Sequence, residues 1–160
     1  MYNMEMMINW FFLILSLGLF AFLLRKPPLK DWLLIYFIRA FNAAILDCFV
    51  ITYKLIEYPV RFLPHVFKPA ILFDFFAYPT LGVLFNQMTY HDKVPMIIVK
   101  AFLLSLPITL LEWWFERNTD LINYLNWNIY ITYFSLTLSF LFIRGVIAVI
   151  RHYSEKENLS

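Results

Sequence analysis

Long apolar stretches, separated by short polar breaks, dominate this sequence and limit what it can fold into. A helix rises about 1.5 Å per residue, so roughly 20 apolar residues cross a hydrocarbon core about 30 Å thick. With 62% hydrophobic residues and a mean hydropathy of +0.68, the 160-residue chain carries more apolar surface than a soluble domain of this length buries. We therefore predict an all-α integral membrane helical bundle that forms a single domain. Its five predicted spans are residues 8–24, 32–53, 69–87, 94–114 and 127–150.

Two segments are expected to lie outside the spans. Residues 54–68 contain Pro59, Pro64 and several charges, which break every apolar window, yet the segment also has side chains that are too apolar for a free loop. We expect it to lie in the membrane interface. The polar residues 151–160 are expected to form a frayed tail.

The flanks of the spans predict an orientation. Arg25 and Lys26 follow the first span and bulky aromatic side chains end it, so we expect an uncleaved anchor rather than a cleaved signal. Lys and Arg residues are slightly more numerous in the loops on the side of Arg25 and Lys26. The positive-inside rule therefore predicts a multi-pass protein of the cell membrane with its N-terminus outside and its C-terminus in the cytoplasm.

Six ionisable residues fall inside the predicted spans, where a central charge costs about 2.5 to 3.5 kcal/mol on insertion scales. Helical rise and the alternating direction of the spans place the basic residues on one side of the bundle and the acidic residues on the other. The basic residues are Arg39, Lys100 and Arg144, and the acidic residues are Asp47, Asp74 and Glu112. Lys100 is set aside because its long stem lets the ammonium group reach the interface.

These buried charges leave two interpretations open. In the first, Asp47, Asp74 and Glu112 converge into a polar site for a proton or a cation. In the second, each is paired with Arg39, Arg144, a hydroxyl or a water molecule and serves only helix assembly. The second is favoured, since so many polar groups in a small bundle can satisfy one another.

The sequence predicts no catalytic residue, no cofactor and no metal site. His65, His91 and His152 lack metal-ligand spacing, and no serine has the glycines of a nucleophile elbow. The single cysteine, Cys48, allows no intrachain disulfide. No basic cluster interleaved with aromatic residues is present, so nucleic acid is not an expected partner. An enzyme is therefore the least favoured class.

Several short phrases of the sequence carry a resemblance to known proteins. The most specific is Glu57-Tyr58-Pro59-Val60-Arg61, in the interfacial segment. The others are Lys54-Leu55-Ile56 before it, residues 74–79, Asn86-Gln87 and Phe142-Ile143-Arg144. Together they resemble an uncharacterised family of small polytopic membrane proteins from spore-forming Gram-positive bacteria, over residues 32–151. The resemblance implies a bacterial cell, carries no activity with it, and marks Glu57, Tyr58, Pro59 and Arg61 as an interfacial motif.

Two classes of function remain open. The first is a structural or accessory protein, favoured by the small size and the lack of a cofactor motif or soluble domain. Its partners would be the lipid bilayer together with other membrane proteins or further copies of the chain. The second is a small proton- or cation-linked transporter or channel component that uses the intramembrane carboxyls. A shared, water-accessible cavity at Asp47, Asp74 and Glu112 would distinguish them.

Overall fold

The computed structural model describes residues 2–157, with side chains described for residues 4–154. A π-helical segment, Phe73–Ala77, leads directly into the third of the α-helices in this range. The α-helices are α1 (Tyr2–Leu23), α2 (Leu29–Thr52), α3 (Tyr78–Met88), α4 (Val94–Asn118) and α5 (Ile129–Glu157). The predicted all-α helical bundle is confirmed.

Four of these helices, α1, α2, α4 and α5, are long and apolar enough to cross a membrane. The chain is therefore a multi-pass membrane protein. The helical part of the predicted span at residues 69–87 begins at residue 71 and contains the π-helical segment, and it is not among these four. It still reaches from one end of the bundle to the other: the Phe73 ring lies 6.2 Å from the Phe115 ring, and Gln87 donates to the Leu23 carbonyl at 2.8 Å. The count of five crossings stays a prediction.

The C-terminal helix is longer than the sequence predicted. Residues 151–157, expected to fray, continue α5, since no proline or glycine interrupts them. Arg151 also anchors this end, with its Nε 2.6 Å from an Asp31 carboxylate oxygen and its guanidinium 4.4 Å from the centre of the Tyr90 ring. Residues 158–160 of the predicted tail lie outside the described residues.

The short helix α3 lies at the centre and contacts α1, α2, α4 and α5. Its closest approach is to α2, where Gly82 faces the stem of Arg39. A Cβ atom at residue 82 would lie 3.0 Å from Arg39 Cγ, so the glycine leaves room for the arginine to cross the interface. Ala40 and Ala43 on α2 are buried as well. Small residues therefore let these two helices pack closely.

The π-helical segment has one local cause, Pro79, and one contact from another helix, Tyr36 of α2. Pro79 has no N–H to donate to the carbonyl of residue 75, four positions earlier, as an α-helix would require. The hydroxyl of Tyr36 on α2 donates to the Phe75 carbonyl instead, at 2.6 Å. The Tyr78 amide donates to the Phe73 carbonyl, which is the π-helical pattern. The helix is thus widened where it carries Asp74.

A two-residue ladder joins the loops at the end of the bundle where α2 and α4 finish. Strand β1 (Ile56–Glu57) pairs antiparallel with strand β2 (Asn123–Tyr124), with Ile56 opposite Tyr124. Ile56 packs with Phe115 and Ile122 in a small apolar cluster. The sequence did not predict this ladder, because two residues are too few for an alternating pattern. Residues 54–68 are not helical, and their interfacial position stays a prediction.

Candidate functional site

Asp47 is buried near the end of α2 that meets the ladder. The hydroxyl of Tyr58 donates to its Oδ1 at 2.5 Å, and the backbone amide of Ala70 donates to its Oδ2 at 3.1 Å. Both donors are neutral, and both come from the loop between α2 and the π-helical segment. Each Asp47 oxygen is therefore satisfied without a basic partner.

The interfacial motif positions the Tyr58 hydroxyl. Arg61 donates from Nη1 to the Tyr58 carbonyl at 2.5 Å and from Nε to the Phe67 carbonyl at 2.9 Å, which folds the loop on itself. Glu57 and Pro59 are exposed beside it. Burial, reinforced by the charge of Asp47, raises the pKa of Tyr58 well above its ordinary value. The phenol thus stays protonated and remains a donor at neutral pH.

Glu112, on α4, is held by hydroxyl groups. Its Oε1 accepts from Tyr124 at 2.8 Å and from Thr132 at 3.0 Å, and its Oε2 accepts from Tyr78 at 3.4 Å. Burial and the neighbouring Glu112 carboxylate raise the pKa of Tyr124, so this phenol also stays a donor. Glu112 therefore accepts hydrogen bonds from side chains of three elements, β2, α5 and α3.

Asp74 differs from the other two carboxyls. It lies in the π-helical segment and is only 2% exposed, and its buried Oδ2 has no hydrogen-bond donor among the described residues. Its carboxyl group lies close enough to the Asp47 carboxyl for the two to interact. Two carboxyls this close cannot both ionise cheaply in a buried place, so they favour sharing a proton.

Arg39 is the basic side chain nearest to this pair, and its charge acts on Asp74. It donates to the side-chain oxygens of Asn42, at 3.2 Å, and Ser139. Its guanidinium also lies 5.8 Å from the centre of the Tyr78 ring. Among the described residues no ion pair joins Arg39 to a carboxylate. Its contacts are therefore mostly with neutral groups that hold α2 to α5.

The two other basic residues of the predicted spans lie away from the carboxyls. Arg144 donates to the backbone carbonyls of Thr89 and Tyr90, at 3.3 and 3.4 Å. Lys100 lies 2.6 Å from an Asp92 oxygen in the turn after α3. Both belong to the opposite end of the bundle, where α3 finishes, so they do not neutralise the acidic group.

A cavity of about 260 Å³ lies between α1, α4 and the π-helical segment. Tyr58, Asp74, Tyr78 and Glu112 form its polar wall, and the rest of its lining is mostly apolar. Asp47 is not part of the lining and adjoins it through Asp74 and Tyr58. Two of the three predicted acidic residues thus share one cavity, and the third lies directly behind it.

The sequence predicted hydroxyl partners for the carboxyls as one alternative, but it did not identify which hydroxyl groups these are. The position of Tyr78 beside Asp74 could have been predicted, since Tyr78 lies four residues later on the same helical face. Tyr124 and Thr132 carry no such signal, because the loop fold brings them to Glu112. Within the described residues no three His, Cys, Asp or Glu side chains lie close enough together to hold a metal ion.

The whole cluster, comprising the three carboxyls with Tyr58, Tyr78, Tyr124 and Thr132, is called the carboxyl–tyrosine cluster below. Its carboxyls come from α2, the π-helical segment and α4, and its hydroxyls come from two loops, α3 and α5. Comparison of the chain with protein-family models, with curated proteins and with solved structures gives no match.

Proposed function

We propose that this chain is a proton-linked transporter or channel component of a bacterial cell membrane, in which the Asp47–Asp74 pair binds the proton. The surroundings of Asp74 carry the proposal. Asp74 is a buried carboxyl with an oxygen that lacks a donor, it adjoins a second carboxyl, and it faces a cavity.

The energetics of the pair favour a proton as its occupant. An unpaired carboxylate in a buried site costs several kcal/mol, and a second one beside it adds repulsion. One shared proton removes a negative charge and supplies the missing donor. The nearby charge of Arg39 stabilises the remaining negative charge. The pair is then a site that holds one proton and releases it when the surroundings change.

Glu112 is the third carboxyl on the route that we propose for the proton. Tyr58 donates to Asp47, and Tyr78 donates to Glu112. Both tyrosines and Glu112 line the cavity together with Asp74, and no hydrogen bond among the described residues joins the pair to Glu112. The proton would therefore cross the cavity to reach Glu112, which lies on a different helix from the pair.

Proton binding is tested on purified protein in lipid nanodiscs by infrared spectroscopy of the carboxyl groups. We expect a protonated carboxyl band that changes with pH in the wild type and is reduced in Asp74→Asn. Asp120→Asn is the matched control, because Asp120 is an exposed loop residue. A band that is identical in Asp74→Asn and the wild type contradicts the proposal.

Transport is tested separately with the protein in liposomes that contain a pH-sensitive dye. A potassium gradient with valinomycin sets the membrane potential that drives protons inward. Wild type and Asp120→Asn should acidify the interior faster than empty liposomes, and Asp74→Asn should not. Proton binding without flux would limit the role of the chain to a binding component.

A structural or accessory role is the second candidate, and a specific observation favours it. Several buried or partly buried polar side chains join one helix to another element: Arg39 bonds Ser139, Gln87 bonds Leu23, and Arg144 bonds the turn after α3. Crosslinking and pull-down from native membrane test this role. A stoichiometric partner that is retained equally by wild type and Asp74→Asn would favour it over proton transport.

A further inference from the structure

We propose that the cavity beside the carboxyl–tyrosine cluster binds a small organic amine, in its ammonium form, that enters sideways from the lipid. The inference rests on the proposed function in taking Asp74 as the charged group of the site. It goes further by assigning the class of molecule that occupies the cavity.

The polar wall of the cavity requires a donor. Once the Asp47–Asp74 pair has released its shared proton, Asp74 Oδ2 is left without a donor among the described residues, whereas Glu112 already accepts from three hydroxyls. An ammonium group supplies three N–H donors together with a positive charge. Charge-assisted hydrogen bonds to a carboxylate are roughly twice as strong as neutral ones. Asp74 therefore fits an ammonium group better than it fits a neutral ligand.

Aromatic rings surround the polar wall. Phe73 lies 6.2 Å from Phe115 and 6.3 Å from Tyr78, measured between ring centres, and Phe12 lies 5.6 Å from Phe115. All four rings line the cavity together with Tyr58. The face of an aromatic ring attracts a cation within about 6 Å of its centre. A carboxylate set among aromatic rings is the chemistry that selects organic ammonium ions.

The volume restricts the size of the amine. An apolar cavity of about 150 Å³ holds a benzene molecule. The cavity here is larger, at about 260 Å³, so it has room for an aromatic ring with a short aminoalkyl arm. A whole phospholipid would not fit.

The cavity opens towards the lipid. α1 and α4 touch at Phe12 and Phe115, and both helices also line the cavity. Leu15 and Leu111 belong to the lining and are nevertheless 49% and 39% exposed on the outer surface of the bundle. Their positions place the opening between α1 and α4, within the apolar part of both helices. A lipid-soluble amine reaches Asp74 by this route.

Binding is tested by calorimetric titration of the protein in nanodiscs with 2-phenylethylamine. The neutral alcohol 2-phenylethanol has nearly the same shape and controls for partition into lipid and apolar surface. We expect the wild type to bind the amine at least about tenfold more tightly than the alcohol, with empty nanodiscs subtracted. Asp120→Asn should keep this preference and Asp74→Asn should lose it. Equal affinity for the two compounds in the wild type overturns the inference.

A second variant fills the cavity and leaves every charge in place. Ala77 is buried and lines the cavity, so Ala77→Leu adds apolar volume there. We expect at least about tenfold weaker amine binding with the pH-dependent infrared band retained. Unchanged amine binding in Ala77→Leu overturns the proposed location. If the wild type shows the infrared band but does not bind the amine, this inference alone is overturned. If the wild type shows no pH-dependent band, the proposed function is overturned.

Discussion

At the scale of single residues, the three intramembrane carboxyls differ in what their oxygen atoms contact. Asp47 and Glu112 accept hydrogen bonds from neutral donors, and Asp74 Oδ2 has none among the described residues. A substitution that removes charge but keeps shape therefore has different consequences at each position. For Asp47 and Glu112 it removes an acceptor, whereas for Asp74 it removes a repulsive charge.

Asp47→Asn should lower stability markedly. Asparagine keeps one acceptor oxygen, but it turns an NH₂ group towards either the Tyr58 hydroxyl or the Ala70 amide, both of which donate to Asp47. Leaving a buried donor unpaired costs about 1 to 3 kcal/mol. Thermal unfolding in detergent measures the loss. Asp120→Asn, in the exposed loop, should change stability by less than about 1 kcal/mol, and equal losses in the two variants would contradict the burial of Asp47.

The stability of the protein should fall at alkaline pH in a way that depends on Tyr58. Its pKa is raised above the ordinary value of 10.0 in the folded state, so folding favours the protonated phenol. This contribution is complete below pH 10 and is lost as the pH rises through the higher folded pKa. One proton accounts for at most about 1.36 kcal/mol per pH unit. Unfolding measured between pH 8 and 11 should be less pH-dependent in Tyr58→Phe, and an unchanged slope would contradict this.

The burial of the carboxyls was more predictable from sequence than their partners were. Asp47 lies at i+7 on the helical face of Ala40 and Ala44, with Ala43 beside them, and such a stripe of small residues predicts that Asp47 faces the bundle. Tyr124 lies in β2, beyond the end of α4, so no helical periodicity connects it to Glu112. Contacts that depend on the fold of a loop leave no regular pattern in the sequence.

At the scale of elements, α3 and the π-helical segment before it depart most from the expected helices. The sequence predicted a span at residues 69–87, and Pro79 lies inside that span. The apolar composition identified the element, and the proline marked its irregular point. The wider π-helical turn depends on Tyr36 of another helix, which no local pattern reveals.

Tyr36→Phe tests this dependence. Removing the hydroxyl takes a hydrogen bond away from the Phe75 carbonyl, and we expect a loss of about 0.5 to 1.5 kcal/mol in unfolding free energy. The same change should cost less in a Pro79→Ala background, because residue 79 then has an N–H to offer that carbonyl. The two single variants and the double variant form the comparison. Equal costs in both backgrounds would show that the tyrosine and the proline act independently.

At the scale of the whole molecule, the described loops divide between the two ends of the bundle. Residues 54–68 and 119–128 meet at one end through the ladder, and the turns after α1 and α3 meet at the other, where Trp32 lies 5.8 Å from Tyr90. This arrangement agrees with helices that alternate in direction. The number of crossings then depends on whether the short third element traverses the bilayer.

Cysteine labelling decides that point. In a Cys48→Ala background, single cysteines at the exposed His65 and His91 flank the third element. We expect a membrane-impermeant maleimide to label residue 65 on intact cells and residue 91 only after permeabilisation. A cysteine at Asp120 is the control for the outer side. Labelling of residues 65 and 91 from the same side would contradict both the five crossings and the separation of the chain ends.

The ladder between the two loops also has a mechanical consequence. Tyr58 follows β1 directly and Tyr124 belongs to β2, so one small paired unit carries a donor for Asp47 and a donor for Glu112. If that unit lifts away from the helices, both carboxyls lose a donor in the same movement, although they lie on different helices. The proton affinities of two carboxyls on different helices then change together.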